Sequence, residues 1–227
     1  GILEEDGEVI HPQTGTPQGG IISPVLANIY LHYVLDLWFE REIQPQQRGH
    51  SRMIRYADDF VVMSESQEDC EEAQRRIEHV LGRLGLKLHP QKTRRVNLAD
   101  GREGFDFLGY RFEAGRRLVR KKSLKALKDK VRAKTIRSRG DSLARIIADL
   151  NPTLRGWFGY FKHAEPFQLR YLDGFVRRRL RAVLRKQDKR PGLGRCQADH
   201  QRWPNPFFAD RGLFTLAAAL EYARQSR

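Results

Sequence analysis

Apolar positions recur at helical spacing through Val25, Leu26, Ile29, Tyr30, Tyr33, Leu37 and Trp38, which predicts a helix over 24–42 that is apolar on more than one side and mostly buried. Ser23 followed by Pro24 reads as its N-cap and first helical residue. Residues 53–63, Met-Ile-Arg-Tyr-Ala-Asp-Asp-Phe-Val-Val-Met, favour strands on both sides of two adjacent carboxylates and predict a hairpin over 52–64 with Asp58 and Asp59 at its tip. A second helix is expected over 67–85, with Cys70, Ala73, Ile77, Val80, Leu81 and Leu84 on one stripe. Ser64 and Gln67 resemble its capping box, and Gly85 its stop. A closing strand pair is expected around 94–119. One sheet with two helices on one face is an α+β layer arrangement, and its other face, bearing the aspartates, stays open.

From about 120 to 190 the pattern is helical only. Leu124, Leu127 and Val131 mark one helix, and Leu143, Ile146, Ile147 and Leu150 a second, capped by Asp141 or Ser142. Asn151-Pro152 reads as a break that starts a third, carrying Leu154, Trp157, Phe158 and Phe161. A fourth runs from Pro166 to Leu184. The expected divisions are 1–113, a half-sheet with helices; 114–190, a helical bundle; and 191–227, a tail whose Trp203, Phe207, Phe208 and Phe214 dock on the bundle.

Charge separates the two halves. Residues 1–110 hold 12 Lys+Arg against 18 Asp+Glu, a charge of −6, while residues 111–227 hold 30 against 10, a charge of +20. The basic surface belongs to the helical half and points to a phosphate backbone as its counterpart. Lys121, Lys122 and Lys125 on the first helix, and Arg177, Arg178 and Arg181 on the last, are the candidate nucleic-acid contacts. Solvated helix faces are the alternative. No apolar run reaches the roughly 20 residues a membrane span needs. The two cysteines, Cys70 and Cys196, fit a reducing compartment. Cys196 and His200 fall two ligands short of a structural zinc site.

The Asp58–Asp59 pair carries the chemistry. An unpaired buried carboxylate costs several kcal/mol, so such a pair calls for a shifted pKa, a basic partner or a metal ion. Hard oxygen ligands on a hairpin suit Mg²⁺, which binds through one or two carboxylates plus substrate phosphates. A solvated, inert turn is the alternative reading of the same residues. Upstream, Gly15-Thr-Pro-Gln-Gly-Gly20 is a loop whose glycines permit close backbone approach, with Gln18 among them able to donate and accept hydrogen bonds.

The Pro17-Gln18-Gly19 loop, the Tyr56-Ala57-Asp58-Asp59 turn, Gly85–Thr93, Phe105–Phe112, Leu150-Asn-Pro-Thr-Leu-Arg-Gly-Trp157 and Arg202-Trp-Pro-Asn-Pro-Phe207 together resemble the reverse transcriptases (maturases) of bacterial group II introns. The resemblance implies the second part of a polymerase palm followed by a helical thumb, or X, domain. It implies two-metal, Mg²⁺-dependent nucleotidyl transfer with Asp58 and Asp59 as catalytic metal ligands. Tyr56 and Ala57 would lie under the primer end, Gln18 and Gly19 against template or nucleotide, and Lys92 near the leaving phosphate, a solvated lysine being the alternative for the last. Implied partners are intron RNA, an RNA–DNA duplex and a DNA target, in the bacterial cytoplasm and nucleoid.

The family's site uses three aspartates, the first upstream of the Pro-Gln-Gly loop. The sole aspartate before Gly15 here is Asp6, in an acidic, turn-like stretch. The expectation is therefore an N-terminally truncated enzyme, inactive alone, completed by a missing N-terminal half or a second copy. The alternative is an RNA-binding splicing factor without polymerase activity.

Overall fold

In a computed structural model, residues 2–3, 9–10, 21–99 and 101–225 are described. They form two compact units, 1–95 and 96–227. The class is α+β, with helices and small antiparallel sheets.

The first unit opens with two short paired strands, β1 (Ile2–Leu3) and β2 (Val9–Ile10). Helix α1 (Ser23–Leu31) continues through two π-helical stretches, His32–Asp36 and Phe39–Ile43, and a short 3₁₀ turn. Ile22 holds the cap position, one residue before the expected Ser23. The hairpin β3 (Ser51–Tyr56) and β4 (Asp59–Ser64) follows, then α2 (Gln67–Arg83). Leu35, Phe39 and Ile43 pack against Ala73, Ile77 and Leu81 of α2, and Met53, Phe60 and Val62 of the hairpin close this core.

The expected burial of the first helix fails in its first half. Val25, Leu26, Ile29, Tyr30 and Tyr33 are all exposed, and burial begins at Leu35. The reason is geometric. The core is only as deep as the hairpin and α2, and the inward i, i+4, i+8 stripe starts where the π turns redirect the chain.

Helix α2 is capped by Ser66, not Ser64. The Ser66 hydroxyl accepts the Asp69 N–H, and Ser64 instead hydrogen-bonds Ser51 across the hairpin at 2.8 Å. At its far end Leu86 N–H reaches the Leu81 carbonyl and Gly85 N–H the Gly82 carbonyl, a Schellman closure with Gly85 at a left-handed φ of 72°. Buried Asp69 accepts the backbone N–H groups of Gly49 (3.0 Å) and Arg48 (3.1 Å), tying the start of α2 to the entry of the hairpin. Those bonds hold its pKa below the usual carboxylate range.

The second unit begins with a meander of β5 (Gly104–Phe107), β6 (Tyr110–Glu113) and β7 (Arg116–Val119), separate from the hairpin sheet where one closing sheet was expected. Its two-residue turns, Leu108-Gly109 and Ala114-Gly115, have positive φ at both positions, as type I′ turns require. Helices α3 (Lys121–Lys134), α4 (Leu143–Phe161) and α5 (Pro166–Gln187) form the bundle. Three short helices end the chain: α6 (Gln197–Arg202), α7 (Asn205–Ala209) and α8 (Leu216–Gln225). Trp203, Phe208, Leu213, Leu216 and Leu220 share one apolar cluster with Leu150, Leu172 and Leu180.

Asn151-Pro152 does not break the chain. Helix α4 runs straight through it, so the expected second and third helices are one. An internal proline removes a backbone hydrogen bond and costs about 3 kcal/mol. The buried stripe Ile146, Ile147, Leu150, Leu154 and Phe161 spans both sides of it and outweighs that cost. Asn151 is an anchor: its side chain donates to the Gly212 carbonyl (2.8 Å) and accepts the Phe214 N–H (2.8 Å).

Replacing Asn151 with Ala should therefore lower stability by about 1–3 kcal/mol through two lost tail contacts, with hydrogen exchange accelerating first in α8; unchanged exchange there would refute the anchor. Asp69 sets a pH dependence. Its folded pKa is depressed, so its contribution is complete above the unfolded carboxylate value of about 3.9 and is lost as pH falls through the lower folded value. Urea unfolding should show a loss of stability below about pH 4 that Asp69→Asn reduces.

Candidate functional site

The hairpin builds its tip from the register Tyr56↔Asp59, which leaves Ala57 and Asp58 as a two-residue loop. Ala57 has φ of 54° and Asp58 does not share the positive sign, the pattern of a type II′ turn, in which glycine normally fills the first place. An alanine in the left-handed region costs about 1–2 kcal/mol. Asp58 and Asp59 are exposed, and among the described residues their side chains make no hydrogen bond or ion pair. Tyr56 is exposed beside them. Lys92 is exposed too, in a turn after α2 where its N–H bonds the His89 carbonyl, and it makes no hydrogen bond or ion pair with the hairpin tip. Gln18 and Gly19 lie outside the described residues.

The cation beside the pair in sequence, Arg55, is not its neutraliser. Arg55 faces the helix side of the hairpin and forks onto Asp36, with Nε to Oδ1 at 2.7 Å and Nη2 to Oδ2 at 2.6 Å. Its Nη1 donates to the Asn28 side-chain oxygen (2.9 Å) and to the Ala57 carbonyl (2.8 Å). The hydrogen bond from Arg55, reinforced by His32, pulls the Asp36 pKa down against the effect of its burial. Sequence reasoning missed this group. A fork between residues 19 apart leaves no local pattern, and the only available signal was a basic residue on the inward-facing side of a strand.

The tip therefore presents two hard-oxygen donors that no cation among the described residues compensates. That donor set fits a divalent cation that also takes oxygens from water and phosphate. Among the described residues no group of three or more His, Cys, Asp or Glu is placed to hold a metal. The Cys196 thiol instead donates to buried Asp199 at 3.1 Å.

In the basic unit, Lys121, Lys122 and Lys125 are exposed on the first turns of α3. Lys121 and Lys122 sit at the positive end of that helix dipole, an unfavourable placement that a bound anion reverses. Arg177 and Arg178 are half-buried on α5, with Arg178 over the Phe175 ring at 5.3 Å. Arg181 does not belong with them. It is 2% exposed and donates to the Trp203 carbonyl and the Asn205 side chain, because the tail folds over the face on which a ridge was expected. Lys128, on the basic outer face expected for this helix, lays its ammonium 4.6 Å over the exposed Tyr171 ring between α3 and α5, a contact the sequence did not show. Tyr160, exposed on α4, donates to the Leu108 carbonyl at 2.8 Å and holds the first turn of the meander.

Two family models match the chain: reverse transcriptase (RNA-dependent DNA polymerase) over residues 2–112, and the group II intron maturase-specific domain over residues 124–203. A putative COX1/OXI3 intron 1 protein of Saccharomyces cerevisiae is 27% identical, covering 72% of this chain and 25% of the relative. Protein YkfC of Escherichia coli is 33% identical over 48% of this chain and 33% of its own length. The Gag-Pol polyprotein of koala retrovirus is 34% identical over 46% of this chain and 6% of its own. The chain thus spans no more than a third of the length of these relatives.

The strained turn makes one expectation direct. Ala57→Gly should raise stability by up to about 1 kcal/mol, as relief of the left-handed strain exceeds the entropic cost of glycine. Urea unfolding at constant slope measures it, and a loss of stability would mean the turn is not strained.

Proposed function

We propose that this chain, which belongs to the family of reverse transcriptases and maturases encoded by group II introns, provides the metal-holding turn and the RNA-gripping bundle of an RNA-directed DNA polymerase and intron maturase. The observation that carries this reading is the Asp58–Asp59 pair, uncompensated among the described residues, inside the polymerase match, followed by exposed lysines at the border of the maturase match. Residues 1–113 act as part of the palm, 114–190 as the thumb or X domain, and 191–227 as a tail that braces it.

Asp58 and Asp59 would hold Mg²⁺, which when bound would supply positive charge against the charge that develops as a primer hydroxyl attacks an incoming nucleotide. Tyr56 and Ala57 lie under the primer end, Gln18 and Gly19 meet template or nucleotide, and Lys92 neutralises the departing pyrophosphate. Nothing covalent is asked of the chain, since phosphoryl transfer of this type is mostly positioning and charge stabilisation. Lys121, Lys122, Lys125, Arg177 and Arg178 hold intron RNA or an RNA–DNA duplex by its backbone, and a DNA target enters at the same site. No helix among the described residues is long and apolar enough to cross a membrane, and a nucleoid-associated cytoplasmic enzyme fits that. The +20 half favours one second reading, a splicing factor that binds intron RNA without polymerising.

Primer extension on an RNA template with Mg²⁺ and deoxynucleotides separates the two. A two-ion site calls for a further carboxylate, so the assay is run with this chain alone and with the N-terminal segment of a related enzyme added in trans. Extension that Asp58→Asn abolishes, with RNA binding intact, supports the polymerase. RNA binding with no extension in either mixture favours the splicing factor. In both readings the charge reversal Lys121→Glu, Lys122→Glu, Lys125→Glu should weaken RNA binding and flatten its log–log salt slope by about 2–3; no change in slope would remove these lysines from the interface.

A further inference from the structure

We infer that Arg55 is the positioning residue for the Asp58–Asp59 pair, acting through the Ala57 carbonyl. The inference rests on reading those two aspartates as the metal-holding pair. Arg55 occupies the last inward-facing place of β3, in the column of Ser51 and Met53, and its side chain is 9% exposed. At that depth an apolar residue would serve packing alone. The guanidinium offers five N–H donors in one plane, and here they are divided between two tasks. Two go to Asp36, which stands on the π-helical turn, and the Nη1 group spans Asn28 of α1 and the Ala57 carbonyl.

The carbonyl it holds belongs to the strained residue itself. A left-handed alanine next to an exposed Asp58 has conformations of lower energy to relax into, and each would turn the carboxylates in a new direction. The donor from Arg55 penalises that relaxation, because a departing carbonyl leaves an N–H without its acceptor. At the same time Asp36 occupies the guanidinium charge, so Arg55 steers the pair without pairing with it. Lysine cannot replace it. An ammonium is a point donor without the planar fork that matches a carboxylate bidentately, so it would hold Asp36 or the turn but not both in this geometry.

The test uses the full chain and Mn²⁺ as the probe. Paramagnetic broadening of the Asp58 and Asp59 amide signals reports cation binding at the tip, and thermal unfolding reports the fold. Arg55→Lys should leave the strands protected from hydrogen exchange while weakening Mn²⁺ binding by about ten- to a hundredfold, the usual loss when a support behind a metal ligand is removed. Asp36→Asn should act in the same direction. Met53→Ala, which loosens the hairpin core without touching the tip, should lower the unfolding temperature and leave Mn²⁺ binding at the wild-type level. Wild-type Mn²⁺ binding in Arg55→Lys, or an equal loss in Met53→Ala, would overturn the positioning role. If the wild-type tip binds no Mn²⁺, the metal reading falls instead. The positioning claim is then decided by exchange of the Asp59 amide that closes the turn: at least tenfold faster in Arg55→Lys but not in Met53→Ala upholds it, and equal rates reject it.

Discussion

A two-stranded hairpin is at best marginally stable in water, so the acidic turn exists only because one face of β3 and β4 is buried. Met53, Phe60 and Val62 supply that face, and Leu35, Phe39, Ile43, Ala73, Ile77 and Leu81 cover it. The other features of the first unit serve this contact. The π-helical turns bring Leu35, Phe39 and Ile43 onto one side, Asp69 pins the start of α2 to the hairpin entry, and the Ser66 cap and Gly85 closure set the length of α2. Tyr56, Ala57 and Asp58 lie just past the end of the packed face, and there a bidentate ion pair takes over from apolar burial as the means of holding shape.

The second unit solves a different problem, that of a strongly basic chain that must still fold. It buries Asp173, Arg181 and Asp199, and uses the first two as clamps for the tail. Asp173, whose pKa burial pushes up, accepts the first N–H groups of α8 from Leu216 and Ala217. Arg181 donates to the Trp203 carbonyl and the Asn205 side-chain oxygen, with the Phe208 ring beside it. Each is satisfied by backbone or amide groups of the tail, which is what makes the burial of a charge tolerable. The lysines at the start of α3 are exposed and have no such partners among the described residues.

Elements whose stabilisation is local were legible in the amino-acid order. The hairpin follows from strand-favouring residues around two aspartates, α2 from its stripe and its Gly85 stop, and α5 from a proline start and the periodic apolar positions up to Leu184. Misreadings share one cause, a distant partner. Pro152 looks like a break until Gly212 and Phe214 are seen to seize Asn151. Arg181 looks like surface until the tail covers it. Apolar Val25, Ile29 and Tyr33 look like core, yet the core ends at Leu35. Asp58 and Asp59 stand out in the sequence as adjacent carboxylates inside an apolar run, which the fold places exposed at the tip, whereas Arg55 and Asp36 are each unremarkable until the fold sets them side by side.

That no cation among the described residues pairs with Asp58 and Asp59 bears, in the proposed function, on the order of events at the tip. Their field is screened within about 8 Å at physiological ionic strength, so it leaves the approach of a nucleic acid from afar undisturbed. In the proposed function that field would be repulsive at contact: a phosphate arriving ahead of a divalent ion would meet two negative charges, and one arriving with the ion would meet none. The turn would then act as a short-range electrostatic gate. An arginine paired with the aspartates would remove that gate, and Arg55 engages Asp36 instead.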